Sequence, residues 1–252
     1  MFRYKSLALA FALCATAFAQ NSARELYDKG MAALKGANKS QGELQAKDYF
    51  QRAADLGYAP AFTVTAYLNE HNNAQTALEW YRKPAEGGDV LAQWVLGRMY
   101  WQGTGTARER VQAEKWLSTV ARRGNPYAMY LMGVLREDLD YLSAPEWYRK
   151  AAERGIPEAQ SRLADRLDRG YGTKRDRAEA YYWYLVSGTG DDRLDTIEAE
   201  LGDKQVETIK LRAQKKRTEF RNDPPLGGCR GWTDWNAAMP ATPPPEYHES
   251  CR

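Results

Sequence analysis

The residue types that usually carry out catalysis are scarce in this 252-residue chain. It has two histidines, and neither His71 nor His248 stands at a metal-ligand or nucleophile–base spacing. Asp165 and Asp168 lie at i and i+3, a spacing at which paired carboxylates can act as acid and base. A solvated helix face is the simpler interpretation. The sequence therefore predicts no catalytic site, no metal site and no cofactor.

Two glycine pairs, Gly103-Thr-Gly105 and Gly170-Tyr-Gly172, are superficially like phosphate-binding loops. Neither pair follows a strand pattern or ends in Gly-Lys-Ser/Thr, as such a loop requires. We interpret both as surface links between helices.

Residues 1–19 have the three parts of a secretory signal peptide. Arg3 and Lys5 precede an apolar stretch from Leu7 to Phe18, and small residues stand at the end of the segment. The stretch is too short to span a membrane, and no other segment reaches the length required. We therefore expect a mature chain that begins at Gln20, contains no transmembrane segment, and is periplasmic or secreted.

Removal of this leader leaves two cysteines, Cys229 and Cys251, both within the last 24 residues. A cysteine pair in an oxidising compartment predicts a disulfide. Trp232 and Trp235 lie between the cysteines in a proline-rich stretch that we expect to be extended. The crosslink either staples a poorly cored tail or presents the two tryptophans to a partner, since aromatics are enriched at binding hot spots.

Internal repetition is the strongest organisational signal. The segments Glu79-Trp-Tyr-Arg-Lys-Pro-Ala-Glu-Gly-Gly88 and Glu146-Trp-Tyr-Arg-Lys-Ala-Ala-Glu-Arg-Gly155 differ at two positions. Each unit contains two helix patterns, the first opening at a small residue and the second carrying an aromatic and closing at glycine. This pattern predicts an all-α solenoid of helix pairs. The anchoring aromatics are spaced 31, 36, 31 and 36 residues apart, at Tyr49, Trp80, Trp116, Trp147 and Trp183.

The segment Ala92-Gln-Trp-Val-Leu-Gly-Arg-Met-Tyr-Trp-Gln-Gly-Thr-Gly105, followed by Ala113-Glu-Lys-Trp116 and Gly124, resembles the Sel1-like repeat, a relative of the tetratricopeptide repeat. The resemblance covers roughly residues 23 to 190 and implies a right-handed superhelix that binds protein partners. The second unit departs from the pattern at Thr65-Ala66 and carries Pro84 in its second helix. We expect Pro84 to kink that helix or to end it early.

The array is expected to occupy residues 20–191, as about five units. Apolar residues recur from 192 to 221, including Leu211 and Phe220, and Gly202-Asp203 divides this stretch into two predicted helices. Such helices cap the last apolar surface of a repeat array. Residues 222–252 form the Pro/Trp-rich tail.

A second stripe on the first helix of each unit is the candidate partner surface, by resemblance to the groove of tetratricopeptide arrays. Ala92, Leu96, Met99 and Tyr100 share the core side of one such helix, and Arg98 and Trp101 lie on a face that the periodic core does not need. Trp94 and Tyr130 are equally consistent with core packing. The candidate contact residues are Tyr67, Trp94, Arg98, Trp101, Tyr130, Val134, Glu137 and Asp165, together with Trp232 and Trp235 of the tail.

Composition supports a protein partner over a nucleic acid. The chain has 36 Lys and Arg against 33 Asp and Glu, and removal of Arg3 and Lys5 leaves 34 against 33. A nearly neutral chain is not a general nucleic-acid binder.

We therefore expect an exported, non-enzymatic protein-binding module. Its most concrete role is immunity, in which a periplasmic protein occludes a toxic secreted effector such as a phospholipase. One alternative is an adaptor or regulator of an envelope secretion or signalling protein. The other is a hydrolase of cell-wall fragments or β-lactams, although this chain lacks the cysteine pair in each repeat that is found in such relatives.

Overall fold

The computed structural model describes residues 21–35, 39–70 and 73–222. Within these ranges the chain forms twelve helices and no strand, which confirms the all-α solenoid. The predicted leader, His71 and the tail with its cysteines lie outside the described residues. The helices are α1 (21–34), α2 (Lys39–Asp55), α3 (Ala59–Asn69), α4 (Ala74–Glu86), α5 (Val90–Gln102), α6 (Arg110–Arg122), α7 (Pro126–Leu139), α8 (Ala144–Ala152), α9 (Pro157–Arg169), α10 (Arg177–Ser187), α11 (Asp191–Leu201) and α12 (Asp203–Asn222).

Helices that follow one another in the chain pack against one another. The chain divides into two compact regions between Ala113 and Glu114, a position inside α6. In the first region α3 packs against α2 and α4, and α4 packs against α5. In the second region α8 packs between α7 and α9, and α10 packs against α9, α11 and α12. This nearest-neighbour packing is the arrangement expected of helix-pair repeats.

Side-chain caps fix where two of the first helices begin. Asp89 accepts a hydrogen bond from the backbone N–H of Ala92 at 2.9 Å, and Asn125 accepts one from that of Ala128 at 2.8 Å. These bonds satisfy amides that the helix itself leaves unpaired. The helices therefore start two residues before the small residues that mark them in the sequence. The other carboxylate oxygen of Asp89 accepts from the Thr63 hydroxyl at 3.0 Å, which ties α5 to α3.

Glycine is required at two kinds of link. Between units, Gly124 adopts a φ of 99°, a left-handed conformation that other residues adopt only with strain. Within a unit, the pairs interpreted as links are confirmed as links, because each follows the end of a first helix. A Cβ on Gly105 would overlap the carbonyl of Ala74, and one on Gly172 would overlap the carbonyl of Tyr141. These glycines let one link lie directly against the next.

Pro84 was expected to kink its helix or to end it early, and the second of these alternatives is wrong. Helix α4 continues to Glu86, and the Gly87 amide still donates to the Lys83 carbonyl at 3.0 Å. Pro84 lies in the last turn, where its missing N–H removes one hydrogen bond and no later turn depends on it. Its ring is buried, so packing offsets that loss.

The two helices after the array close its last apolar surface, as predicted. Helix α11 ends at Leu201 and is capped by Gly202, and Ile197, Val206, Ile209 and Ala213 are buried. Leu211, which the sequence placed in the apolar set, is instead 59% exposed. The outward side of α12 is otherwise polar, and α12 packs against α10. A polar outer face is what a terminal capping helix needs.

Candidate functional site

The second stripe of the first helices is an ion-pair and hydrogen-bond network. In the second repeat the buried Tyr81 of α4 donates from its hydroxyl to Glu70 Oε1 at 2.6 Å. Arg98 of α5 places Nη2 3.5 Å from Glu70 Oε2, and the two side chains are 16% and 13% exposed. Burial, followed by the charge of Glu70, raises the pKa of Tyr81 well above its usual value. The network therefore holds Tyr81 neutral and Arg98 paired.

The same arrangement recurs 67 residues later, in the fourth repeat. The fully buried Tyr148 of α8 donates to Glu137 Oε1 at 2.6 Å. Arg166 of α9 pairs with the same oxygen, and Arg162 lies 3.6 Å from Oε2. Burial and the bond to Glu137 raise the pKa of Tyr148. In both places, a carboxylate at the end of one first helix links its own repeat to the first helix of the next repeat.

The last unit uses a variant of this arrangement. The Tyr184 hydroxyl of α10 donates to Asp165 Oδ1 at 2.7 Å, and Arg193 of α11 bonds both groups. Asp168 accepts from Arg177 Nε at 2.9 Å and is buried. The interpretation of Asp168 as part of a solvated face is therefore wrong, because Arg177 and Arg193 cover it. Its carboxylate pairs with Arg177 of α10 and with Arg193 of the capping helix α11.

Several predicted contact residues are committed to these internal contacts. Trp94 is 5% exposed, so its side chain is part of the core and presents little surface to a partner. The expectation that the core does not need the face of Arg98 is also wrong, because Arg98 is only 16% exposed and pairs with Glu70 of the preceding first helix. Glu137 and Asp165 are likewise paired. Large side chains and paired carboxylates share one helical period, and for that reason the pattern alone did not separate surface residues from network residues.

Other predicted residues remain partly accessible, and their role in binding stays a prediction. Tyr67, Trp101, Tyr130 and Val134 are half-buried. The Tyr130 ring lies 6.0 Å from that of Tyr148.

Trp101 is held in place by the link that follows it. Arg108 donates from Nε to the Trp101 carbonyl at 2.6 Å, and its guanidinium lies 5.8 Å from the indole centroid. The indole N–H is buried and has no hydrogen-bond acceptor among the described residues. An unsatisfied buried donor is unfavourable. Trp232, Trp235, Cys229 and Cys251 lie outside the described residues.

A cluster of exposed apolar side chains, which the sequence pattern did not predict, lies in the fourth and fifth repeats. We call Leu139, Tyr141, Leu142 and Tyr171 the link patch. They are between 46% and 62% exposed, at the α7–α8 and α9–α10 links. The two links touch, because Gly172, next to Tyr171, lies against the Tyr141 carbonyl. The available signal was Leu139-Asp-Tyr-Leu142, an apolar run at a place where links are normally polar.

No group of three or more histidine, cysteine, aspartate or glutamate side chains in the described ranges could hold a metal ion. None of the helices described is long and apolar enough to cross a bilayer.

Sequential helix pairs, joined by glycine links and closed by capping helices, define a helix-pair repeat protein of the solenoid class. The chain belongs to the Sel1 repeat family, whose model matches residues 23–58, 70–89, 90–125, 126–156 and 157–188. Proteins built from these repeats are protein-interaction modules, and this array is of that kind. The match covers both the short and the long units.

The chain is similar to proteins from several bacteria. It is 32% identical over 145 residues to an uncharacterized protein of Neisseria meningitidis serogroup B, covering 56% of this chain and 30% of that protein. It is 28% identical over 142 residues to the exopolysaccharide production negative regulator of Rhizobium leguminosarum, covering 48% and 52%. The fold is similar to that of a protective antigen of uropathogenic Escherichia coli, at a TM-score of 0.64 and 24% identity, covering 88% of this chain and 49% of that one. The chain thus spans about half, or less, of these relatives.

Proposed function

We propose that this chain is a non-enzymatic, exported protein-binding module whose principal contact surface is the link patch. The observation that carries the proposal is the exposure of four large apolar side chains on two touching links. Contiguous exposed apolar groups are uncommon on proteins that act alone and commonly mark interaction sites. Two of the four are tyrosines, a residue type enriched at binding hot spots.

The close approach of the two links at Gly172 is made by groups other than the patch side chains. The contact between the two links is made by the Tyr141 carbonyl and by Pro145, whose Cγ would lie 3.1 Å from a Cβ at Gly172. The buried members of α8 are Ala144, Pro145, Tyr148 and the alanines that follow. The patch side chains can therefore be replaced while the fold is kept, which makes the proposal testable.

The half-buried first-helix residues Tyr67, Trp101, Tyr130 and Val134 are the secondary candidates for contact. The network residues Arg98 and Glu137 act in this proposal as supports, which hold neighbouring first helices in register.

Immunity against a secreted effector, such as a phospholipase, is the more specific form of the proposal. An envelope adaptor or regulator is the alternative. The name of the Rhizobium relative, a negative regulator of exopolysaccharide production, supports this alternative. Export to the periplasm is part of both forms and rests on the leader sequence.

The test replaces the patch and keeps a matched surface change as control. Affinity-tagged wild type, Tyr141→Ser/Tyr171→Ser and Leu211→Ser are incubated with envelope extract, and the bound proteins are identified by mass spectrometry. Leu211 is as exposed as the patch residues but lies on α12. We expect one partner to bind wild type and Leu211→Ser. We expect the double variant to bind it with an affinity lower by about 2 kcal/mol or more in calorimetry.

Equal affinity of the double variant and the wild type would contradict the link patch as the contact surface. Turnover of a cell-wall fragment or a β-lactam by the purified wild type would contradict the non-enzymatic role. A gene neighbour that encodes a lipase-like toxin, and neutralisation of that toxin by the wild type only, would support immunity over regulation.

A further inference from the structure

Helix α12 carries more positive charges than the carboxylates of the described residues pair with. Its 20 residues include seven Lys and Arg against three Asp and Glu. Three of the cations have carboxylate partners: Lys210 lies 3.0 Å from Glu198, and the other two pairs are Arg212–Glu179 at 2.8 Å and Lys216–Glu219 at 3.1 Å. The remaining cations need a different explanation.

Arg217 and Arg221 are two of those remaining cations, and both are exposed. In the described part of the chain, no carboxylate lies within ion-pair distance of either guanidinium. They stand one turn apart on α12, so their side chains project from the same side of the helix.

A groove runs along this side of α12, between α12 and the end of α10. Leu185 of α10 and Ala213 of α12 provide its apolar floor. Among the described residues, no carboxylate lines this groove. A second cleft, near the start of α12, is lined by Asp176, Glu179 and Asp203 as well as by basic residues, so its charges are mixed. The polar lining of the first groove consists of Lys210, Gln214, Arg217, Thr218 and Arg221.

We infer that this groove, which we call the α12 groove, binds an acidic, extended segment of a protein partner. Charge complementarity selects the occupant, because Arg217 and Arg221 have no carboxylate partner among the described residues, they flank an apolar floor, and guanidiniums pair well with carboxylates. The span from Lys210 to Arg221 is about 16 Å at the rise of an α-helix. An extended peptide covers that distance with about five residues.

A lipid surface is the less favoured occupant. Basic segments that hold an anionic membrane usually present four to eight Lys or Arg residues on one surface. The described lining of this groove contains three, and Lys210 is already paired with Glu198. A recessed apolar floor also fits side chains better than a flat array of headgroups.

This site is separate from the link patch and does not rest on it. Its residues belong to α10 and α12, whereas the patch belongs to the α7–α8 and α9–α10 links. A failure of one surface therefore leaves the other standing, and variants of each serve as controls for the other.

The experiment measures binding of a fluorescein-labelled peptide of about six residues, alternating Glu and Ser, to the full chain by fluorescence anisotropy. Its counterpart with Gln in place of Glu reports binding that does not depend on charge. The groove variant is Arg217→Gln/Arg221→Gln. The matched control is Lys204→Gln/Lys215→Gln, which removes the same charge from the same helix, about 120° or more around its axis. Tyr141→Ser/Tyr171→Ser is the second control.

We expect wild type and both controls to bind the acidic peptide alike, and the groove variant to bind it at least about fivefold more weakly. Binding should weaken with salt, because the charges are exposed. Equal loss in the groove variant and the lysine control would overturn the proposal, since it would show attraction to net charge alone. Binding of phosphatidylglycerol vesicles without peptide binding, lost in the groove variant, would overturn it in favour of a lipid surface.

Discussion

Replacement of Glu137 by alanine tests the network that the structure places on the first-helix face. Glu137 accepts from the fully buried Tyr148 hydroxyl at 2.6 Å and pairs with Arg166. An unsatisfied buried hydroxyl costs about 1 to 3 kcal/mol, and a partly buried cation that loses its partner adds to this. We therefore expect Glu137→Ala to lower the free energy of unfolding by about 3 kcal/mol.

The assay is urea and thermal unfolding followed by circular dichroism. A loss of about 3 kcal/mol corresponds to a fall of about 6 to 12 °C in the melting midpoint of a chain of this size. Glu146→Ala is the matched control, because Glu146 pairs with Lys150 at 2.6 Å but both side chains are exposed. We expect that control to change stability by less than about 0.5 kcal/mol.

A second substitution separates the hydroxyl from the ion pair. Tyr148→Phe removes the donor that Glu137→Ala leaves unsatisfied, so the double variant should be about 1 kcal/mol more stable than Glu137→Ala alone. A Glu137→Ala protein as stable as Glu146→Ala would refute the reasoning, and so would strictly additive effects of the two network substitutions.

Three further variants test the links, the buried phenols and the core. Gly172→Ala should destabilise by about 3 kcal/mol or more in urea melts, because its Cβ would overlap a carbonyl, whereas Gly124→Ala should lose only about 1 kcal/mol, for its positive φ in open space; equal losses would contradict the close approach. Burial first, and then its hydrogen bond to a carboxylate, raises the pKa of Tyr184 to about 12 from 10.0, so the stability it contributes is complete below pH 10 and lost as pH rises toward 12. Tyr184→Phe should therefore shrink the fall in urea midpoint between about pH 8 and about pH 11, and an unchanged fall would argue against a buried phenol. Leu96→Ala should lower the free energy of unfolding by about 2 to 5 kcal/mol, measured in the same melts, because Leu96 is fully buried; a loss below about 1 kcal/mol would place it outside the core.

The repeat pattern was sufficient to predict the fold of the array. The spacing of Tyr49, Trp80 and the later aromatics fixed the number and order of helix pairs, and glycine fixed most of their ends. Both signals are local, because a helix face and a left-handed link depend on residues a few positions apart. The cap was predictable for the same reason, since Gly202 interrupts two apolar periodicities. The role of the leader and the disulfide of the tail remain predictions from sequence.

The candidate site was predicted only in part. Periodicity placed Arg98, Glu137 and Asp165 on one stripe, but it carried no information on which neighbours they meet. Their partners come from other helices: Glu70 for Arg98, and Tyr148 for Glu137. A charged side chain and a buried phenol on different helices look like separate surface and core residues until packing brings them together.

The sequence by itself determined the helix pairs, their links and the capping helices, because these features follow from residues near one another in the chain. Only the tertiary structure decided which polar groups pair with one another inside the fold and which remain accessible to a partner. In the folded chain the predicted contact residue Arg98 pairs with Glu70, and Glu137 pairs with Arg166. The link patch and the α12 groove remain exposed. The reason is that burial and ion pairing depend on distances between helices, which the periodic pattern of any single helix does not contain.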